Sequence, residues 1–150
     1  MKLFTGRDML RQIFVDTSFF YAHAYADDPH HREAVQFLEN SPVPLVTTNF
    51  IFDELMTILR YNFGHRVAVT YGQSLRKSKL VNILRITPED EESAWEIFSR
   101  YSDQKFSFTD CTSFALMRRL GITEAAAFDI HFEVAGFLRL PPASLASRGR

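Results

Sequence analysis

Short apolar runs alternating with apolar-striped helical stretches predict an α/β fold: a three-layer α/β/α sandwich around a central, mostly parallel sheet. Two of the runs, Ile13-Phe14-Val15 and Ala125-Ala126-Ala127-Phe128, end directly on an aspartate. Between the runs, threonine, aspartate, proline and glycine stand where helix caps and stops belong. No repeat, low-complexity stretch or linker interrupts the pattern, so residues 1–150 read as a single domain.

The first strand is expected over Ile13 to Asp16, followed by a short helix from Ser18 to Tyr25. Asp28-Pro29 predicts the next helix start, with Asp28 as N-cap and proline in the first turn. Ala34, Phe37 and Leu38 give that helix one apolar stripe as far as Asn40. A second strand is expected over Pro44 to Thr48. A helix from Phe50 to Phe63 then stops at Gly64, a residue suited to a left-handed cap. His65 to Lys79 reads as helical, and Val81 to Ile86 as the third strand. Thr87-Pro88-Glu89-Asp90 combines a capping threonine, a first-turn proline and acids at the positive end of a helix dipole. Asp110 to Leu120 is expected as a helix with Thr109 as N-cap and Gly121 as its stop. Ile122 to Phe128 reads as the fourth strand and Phe137 to Leu140 as the fifth. The tail from Ala143 to Arg150 reads as frayed.

Composition narrows the function classes. A 46% hydrophobic content with 15 phenylalanines supports a packed core. Met1 to Gln12 mixes polar and apolar residues and does not resemble a signal peptide. No apolar run approaches the ~20 residues of a membrane span, so no membrane association is expected. Cys111 is the only cysteine, which excludes an internal disulfide and a cysteine-rich zinc site and favours a cytoplasmic setting. The net charge of −1 hides an uneven distribution. Leu55 to Pro88 holds no acid but contains Arg60, Arg66, Arg76, Lys77, Lys79 and Arg85, while Glu89 to Asp103 is strongly acidic. A basic block near an acidic site suits a polyanion held beside metal ions. An ordinary solvated helix surface accounts for the same cations.

Four carboxylates carry the chemical argument: Asp16, Glu54, Asp110 and Asp129. Asp16 and Asp129 fall at strand tips, Glu54 and Asp110 near helix starts. In an open parallel sheet these positions converge on one crevice. Glu54 shares a helical face with Ile51, Leu55 and Ile58, whereas Asp53 falls on the exposed side with Thr57 and Arg60. Like charges gathered there repel by roughly 4 kcal/mol per close pair at an effective dielectric of about 20. A divalent cation removes that repulsion. Carboxylates without thiolate or histidine company suit Mg²⁺ or Mn²⁺, ions that promote phosphodiester hydrolysis. Thr17, Ser18, Thr109 and Thr112 are placed to orient a water or phosphate, or to serve as local caps.

These segments resemble the PIN-domain family, and within it the VapC-type ribonuclease toxins. The resemblance rests on Phe14-Val15-Asp16-Thr17-Ser18, Asn49-Phe50-Ile51-Phe52-Asp53-Glu54, Ser107-Phe108-Thr109-Asp110-Cys111 and Ala127-Phe128-Asp129-Ile130-His131-Phe132. Asp27-Asp28-Pro29-His30-His31 is similar to the family's acid-and-histidine segment. The resemblance covers a core of about 13–140. It implies an α/β/α fold and a Mg²⁺- or Mn²⁺-dependent endoribonuclease with Asp16, Glu54 and Asp110 as core acids. Asp129 would be the more variable fourth acid. It further implies an RNA substrate, a homodimer and a small antitoxin that blocks the site. One departure is Ala127, where the family often has threonine.

Two other readings compete. One is a catalytically inactive RNA- or partner-binding module of the same fold, which has no use for buried negative charge. The other is a phosphatase-like enzyme with Asp16 as nucleophile, which lacks its second aspartate because Ser18 stands two positions on. His30 and His31 are adjacent, point about 100° apart on a helix and read as helix-start or surface residues. His131 is the histidine expected near the acids, in packing or at the surface, with a contact to a ligand group or substrate as the alternative. Cys111, Trp95, Phe106 and Phe108 read as core, and Arg118 and Arg119 as cations closing a helix.

Overall fold

The computed structural model describes residues 11–142, so the expected frayed tail and most of the leader lie outside the described residues. Five strands, β1 (Ile13–Val15), β2 (Leu45–Thr48), β3 (Val81–Leu84), β4 (Glu124–Ala126) and β5 (Leu138–Leu140), form one sheet in the order β3-β2-β1-β4-β5. Every neighbouring pair is parallel. Helices α1 (Thr17–Ala24) and α2 (His31–Asn40) lead from β1 to β2, and α3 (Asn49–Phe63) and α4 (His65–Lys77) from β2 to β3. Helices α5 (Pro88–Arg100) and α6 (Phe108–Leu120) return the chain to β4, and the short α7 (His131–Val134) leads to β5.

The chain steps outward from β1 to β3, then comes back to the other side of β1. Right-handed crossovers therefore place α1–α4 on one face of the sheet and α5–α7 on the other. This is the expected three-layer sandwich. The reversal falls between β1 and β4, so a crevice opens beyond their carboxyl ends.

Helix ends explain several boundaries. Thr87 and Asp90 form a reciprocal capping box, as anticipated, with the Thr87 amide donating to Asp90 Oδ2 at 3.0 Å. Asp90 also receives a paired contact from Arg119 at 2.7 and 2.9 Å, which holds its buried carboxyl below the usual range. The cap of α6 is Ser107 rather than Thr109, because Asp110 three residues on completes the same box. The start of α2 also differs from expectation. Asp28 accepts from the His30 amide at 2.8 Å, which uses residues 28–30 as a turn, and the helix begins only at His31. Gly121 adopts the left-handed cap expected of it, with φ 70° and ψ 25°. Gly64 takes φ 91° but an extended ψ of 175°, since it must start α4 as well as end α3. The fourth strand is shorter than expected, pairing over Glu124–Ala126 only. Helix α7 has no sequence signal, being only four residues long.

Aromatic packing fills both layers. Phe14, Phe114 and Phe132 are fully buried, with centroids 5.1 Å apart for Phe114–Phe132 and 5.9 Å for Phe14–Phe132. Across the sheet, Phe19 stacks on Phe128 at 4.8 Å, and His30 stacks on the same ring at 4.2 Å. Trp95 was expected in the core but is 59% exposed, because it faces outward on α5 beside Phe98. Among the described residues, no helix is long and apolar enough to cross a membrane.

Candidate active site

Asp16, Glu54, Asp110 and Asp129 all line one cavity of about 350 Å³, located at the reversal of strand order. Asp16 follows β1 directly and serves as N-cap of α1. Its Oδ2 accepts from the Ser18 amide at 3.2 Å and the Ser18 hydroxyl at 2.7 Å. The Ser18 hydroxyl in turn accepts from the Phe128 amide at 3.0 Å. One serine therefore ties the end of β1 to the loop after β4. Phe128, held between Phe19 and His30, fixes that loop, and Asp129 is the next residue.

Asp110 is placed by the capping box of α6. Its Oδ2 accepts from the Ser107 amide at 3.0 Å and from His131 Nδ1 at 2.9 Å. The Asp129 Oδ1 accepts from the His131 amide at 2.8 Å, at the start of α7. His131 Nδ1 also lies 3.8 Å from Asp129 Oδ1. A neutral His131 must carry its proton on Nδ1 to bond an ionised Asp110. Its ring packs edge-on to Phe106 at 5.6 Å, which fixes its orientation. Thus α7, invisible in the sequence, carries a residue that touches two of the acids. The single signal for it was a histidine two positions after Asp129.

Glu54 departs from its expected setting. Ile51, Leu55 and Leu59 form the buried stripe of α3, while Glu54 is half-buried and turns with Ile58 toward the cavity. It therefore needs no burial argument. Asp53 is exposed, as expected. His30 is an exposed helix-start residue, as expected, and it also lines the same cavity. His31 instead turns away, with Nδ1 2.8 Å from the Ala22 carbonyl. Cys111 is buried core filler, its thiol pushed up to about 11 by burial and by Asp110.

The electrostatics are those of crowded acids. Burial above all, then the charges of Asp129 and Asp110, push Asp16 up from 3.8 to about 8 against the opposing Ser18 hydrogen bonds. Burial and the Asp129 charge likewise raise Asp110, with the Ser107 amide and His131 opposing. Oxygen atoms of Asp110 and Asp129 and a nitrogen of His131 lie within 4.8 Å of one another, close enough to share one ion. Asp16 and Glu54 line the cavity outside that tight group.

Hydrogen bonding tests whether these residues fit a metal. The fold engages one oxygen each of Asp16, Asp110 and Asp129 and leaves the second for another ligand. Thr17 Oγ1, lining the same cavity, is buried with no hydrogen-bond partner among the described residues. Oriented carboxylates with one oxygen available, beside an unpaired hydroxyl, fit a hard divalent cation with its waters.

A parallel sheet in this order, with four acids at its switch point, defines a class of acid-centred α/β proteins. The chain matches the PIN domain over residues 13–138 and belongs to that family. It is 41% identical over 130 residues to the Mycobacterium tuberculosis 23S rRNA-specific endonuclease VapC20, covering 87% of this chain and 98% of that protein. It is 28% identical over 125 residues to an Archaeoglobus fulgidus VapC ribonuclease, covering 80% of this chain and 78% of the relative. The crystal structure of VapC20, described as a sarcin-ricin loop cleaving toxin, superposes with a TM-score of 0.82 at 40% identity, over 87% of this chain and 99% of that one. FitAcB from Neisseria gonorrhoeae shares the fold at 15% identity, with a TM-score of 0.63 over 85% of this chain and 95% of that one.

Proposed function

We propose that this protein is a metal-dependent endoribonuclease that cuts large-subunit ribosomal RNA and acts as the toxin of a toxin–antitoxin pair. The observation that carries the reading is the oriented carboxylate set at the β1/β4 crevice, with one oxygen of each aspartate held by the fold and the other available. An inactive module has no need for acids so expensively placed. The relatives' names, an rRNA-specific endonuclease and a ribonuclease, support cleavage over mere binding.

Asp16, Glu54, Asp110 and Asp129 would hold Mg²⁺ or Mn²⁺. When bound, such an ion neutralises charge at the scissile phosphate and lowers the pKa of water. The rest is done by the chain itself. Ser18 aims Asp16, while Ser107 and His131 aim Asp110. Thr17 offers a hydroxyl to water or phosphate within the cavity. A small antitoxin covering the cavity, a homodimer and a cytoplasmic location complete the proposal. The exposed pair Trp95 and Phe98 supports a protein-facing surface.

Purified protein incubated with 23S rRNA and Mn²⁺ tests the reading, with cleavage located by primer extension. The expected result is one discrete cut, absent with EDTA and with Asp110→Asn. Intact RNA in both Mg²⁺ and Mn²⁺, or equal cutting by the variant, would overturn it.

A further inference from the structure

The basic block of the sequence is not one surface. Arg60 and Arg66 flank the α3–α4 connection, where Arg60 meets His65 at 2.6 Å. Arg76 lies at the other end of α4, roughly 20 Å away for a helix of this length at about 1.5 Å per residue, and Arg85 directly follows β3. There they border a groove of about 400 Å³ along β3, the edge strand of the sheet. Asn49, Ser78 and Asn82 supply further polar groups, and among the described residues no acid lines it. Both arginines are exposed, and among the described residues neither guanidinium has a hydrogen bond or ion pair. Ser78 Oγ accepts from the Leu80 and Val81 amides at 3.1 and 3.3 Å, so its hydrogen is free to donate outward.

The groove stands at a fixed place relative to the acids. Thr48 pairs with Leu84, and Phe14 with Val46, so continuing the register sets Leu84 level with Asp16 two strands away. Two strand spacings are about 10 Å, close to the rise of three base pairs along a nucleic-acid helix axis at roughly 3.4 Å each. Arg85 follows at once. Helix α3 divides the two sites: Asn49 and Phe52 line the groove, while Glu54 and Ile58 line the acid cavity. The Asn49 side chain also accepts from the Ile86 amide at 2.8 Å, locking the start of α3 to the end of β3.

We propose that the β3-edge groove, through Arg76 and Arg85, grips the RNA backbone a few nucleotides from the bond cut at the acids. The assignment rests on the endoribonuclease reading and adds the place where the substrate strand is anchored. Arginine forks match phosphate oxygens, and the neutral hydroxyl and amides beside them add donors without repelling the anion.

Binding of a fluorescein-labelled RNA stem-loop, followed by anisotropy in EDTA across a salt series, tests this. Arg76→Ala/Arg85→Ala should bind more weakly than wild type. Its log–log salt slope should be shallower by about 1.4, two contacts at roughly 0.7 each. Arg32→Ala/Arg100→Ala, which removes equal charge from α2 and α5, should keep the wild-type slope. Mn²⁺ affinity should be the same in all three, since the groove lies across α3 from the acids. An unchanged slope in the Arg76/Arg85 variant overturns the proposal. So does self-association with RNA affinity intact, which would mean the arginines only guard an exposed edge. Failure of the wild type to bind RNA would instead remove the endoribonuclease reading itself.

Discussion

Replacing Asp16 by asparagine should make the metal-free protein more stable near neutral pH. The carboxyl titrates at about 8 in the fold against 3.8 for the ordinary group, chiefly through burial and the neighbouring Asp129. A folded pKa raised in this way leaves Asp16 neutral and harmless at low pH. The stability it permits is complete below about pH 4 and is lost as pH rises toward 8. About four units at roughly 1.4 kcal/mol each set a ceiling of ~6 kcal/mol. Water reaching an open cavity, and side-chain relaxation, bring the expected value to ~3 kcal/mol. Asparagine keeps an acceptor for the Ser18 amide and removes the charge. In EDTA at about pH 7.5, Asp16→Asn should therefore melt ~6–12 °C above wild type for a chain of this size. Near pH 4 the two should coincide. Mn²⁺ should raise the wild-type midpoint more than the variant's, because it neutralises the charge that asparagine has already removed. A variant that melts below wild type at both pH values in EDTA would show that crowding of acids is not what burdens the metal-free fold.

Other substitutions separate the parts of the site. His131→Leu should weaken Mn²⁺ binding ~10–100-fold by calorimetry, the usual effect of losing a group that orients a ligand. His131→Asn, which keeps an N–H donor, should recover part of the loss; equal affinities in all forms would remove His131 from the site. Glu54 is half-buried, so Glu54→Gln should shift stability by less than ~0.5 kcal/mol while lowering cleavage about 100-fold or more. Cleavage at the wild-type rate would exclude Glu54. Ser107→Ala should cost ~1 kcal/mol in urea titration through the lost cap. Its effect on Mn²⁺ affinity should be smaller than that of His131→Leu, because the Ser107 amide still holds Asp110.

The sequence shows the layers because its periodicities are strong. Apolar runs of three or four residues ending in aspartate fix β1 and β4, and Thr87-Pro88 fixes the start of α5. Asp16 and Asp110 stand at the ends of elements as read from the sequence, whereas Asp129 lies three residues past β4 and Glu54 more than a turn inside α3. What escaped depends on tertiary contacts. Trp95 is aromatic like the core residues around it, and only packing shows that it faces outward. Thr109 and Ser107 are equally good caps in isolation, and the reciprocal bond from Asp110 decides between them. Helix α7 is too short for a periodic signal. The sequence placed His131 near the acids, but only the fold shows that its ring meets Asp110, across 21 residues of sequence. Charge along the chain misled in another way. Residues Arg60 to Arg85 are contiguous in sequence, but α4 carries the two ends of the run apart.

The most direct test of the central claim is mapping of new RNA 5′ ends after inducing the protein in bacterial cells, with Asp110→Asn as control. Discrete ends within 23S rRNA, produced by the wild type alone, are the predicted result. No new ends, or the same ends with Asp110→Asn, would contradict an endoribonuclease centred on these acids.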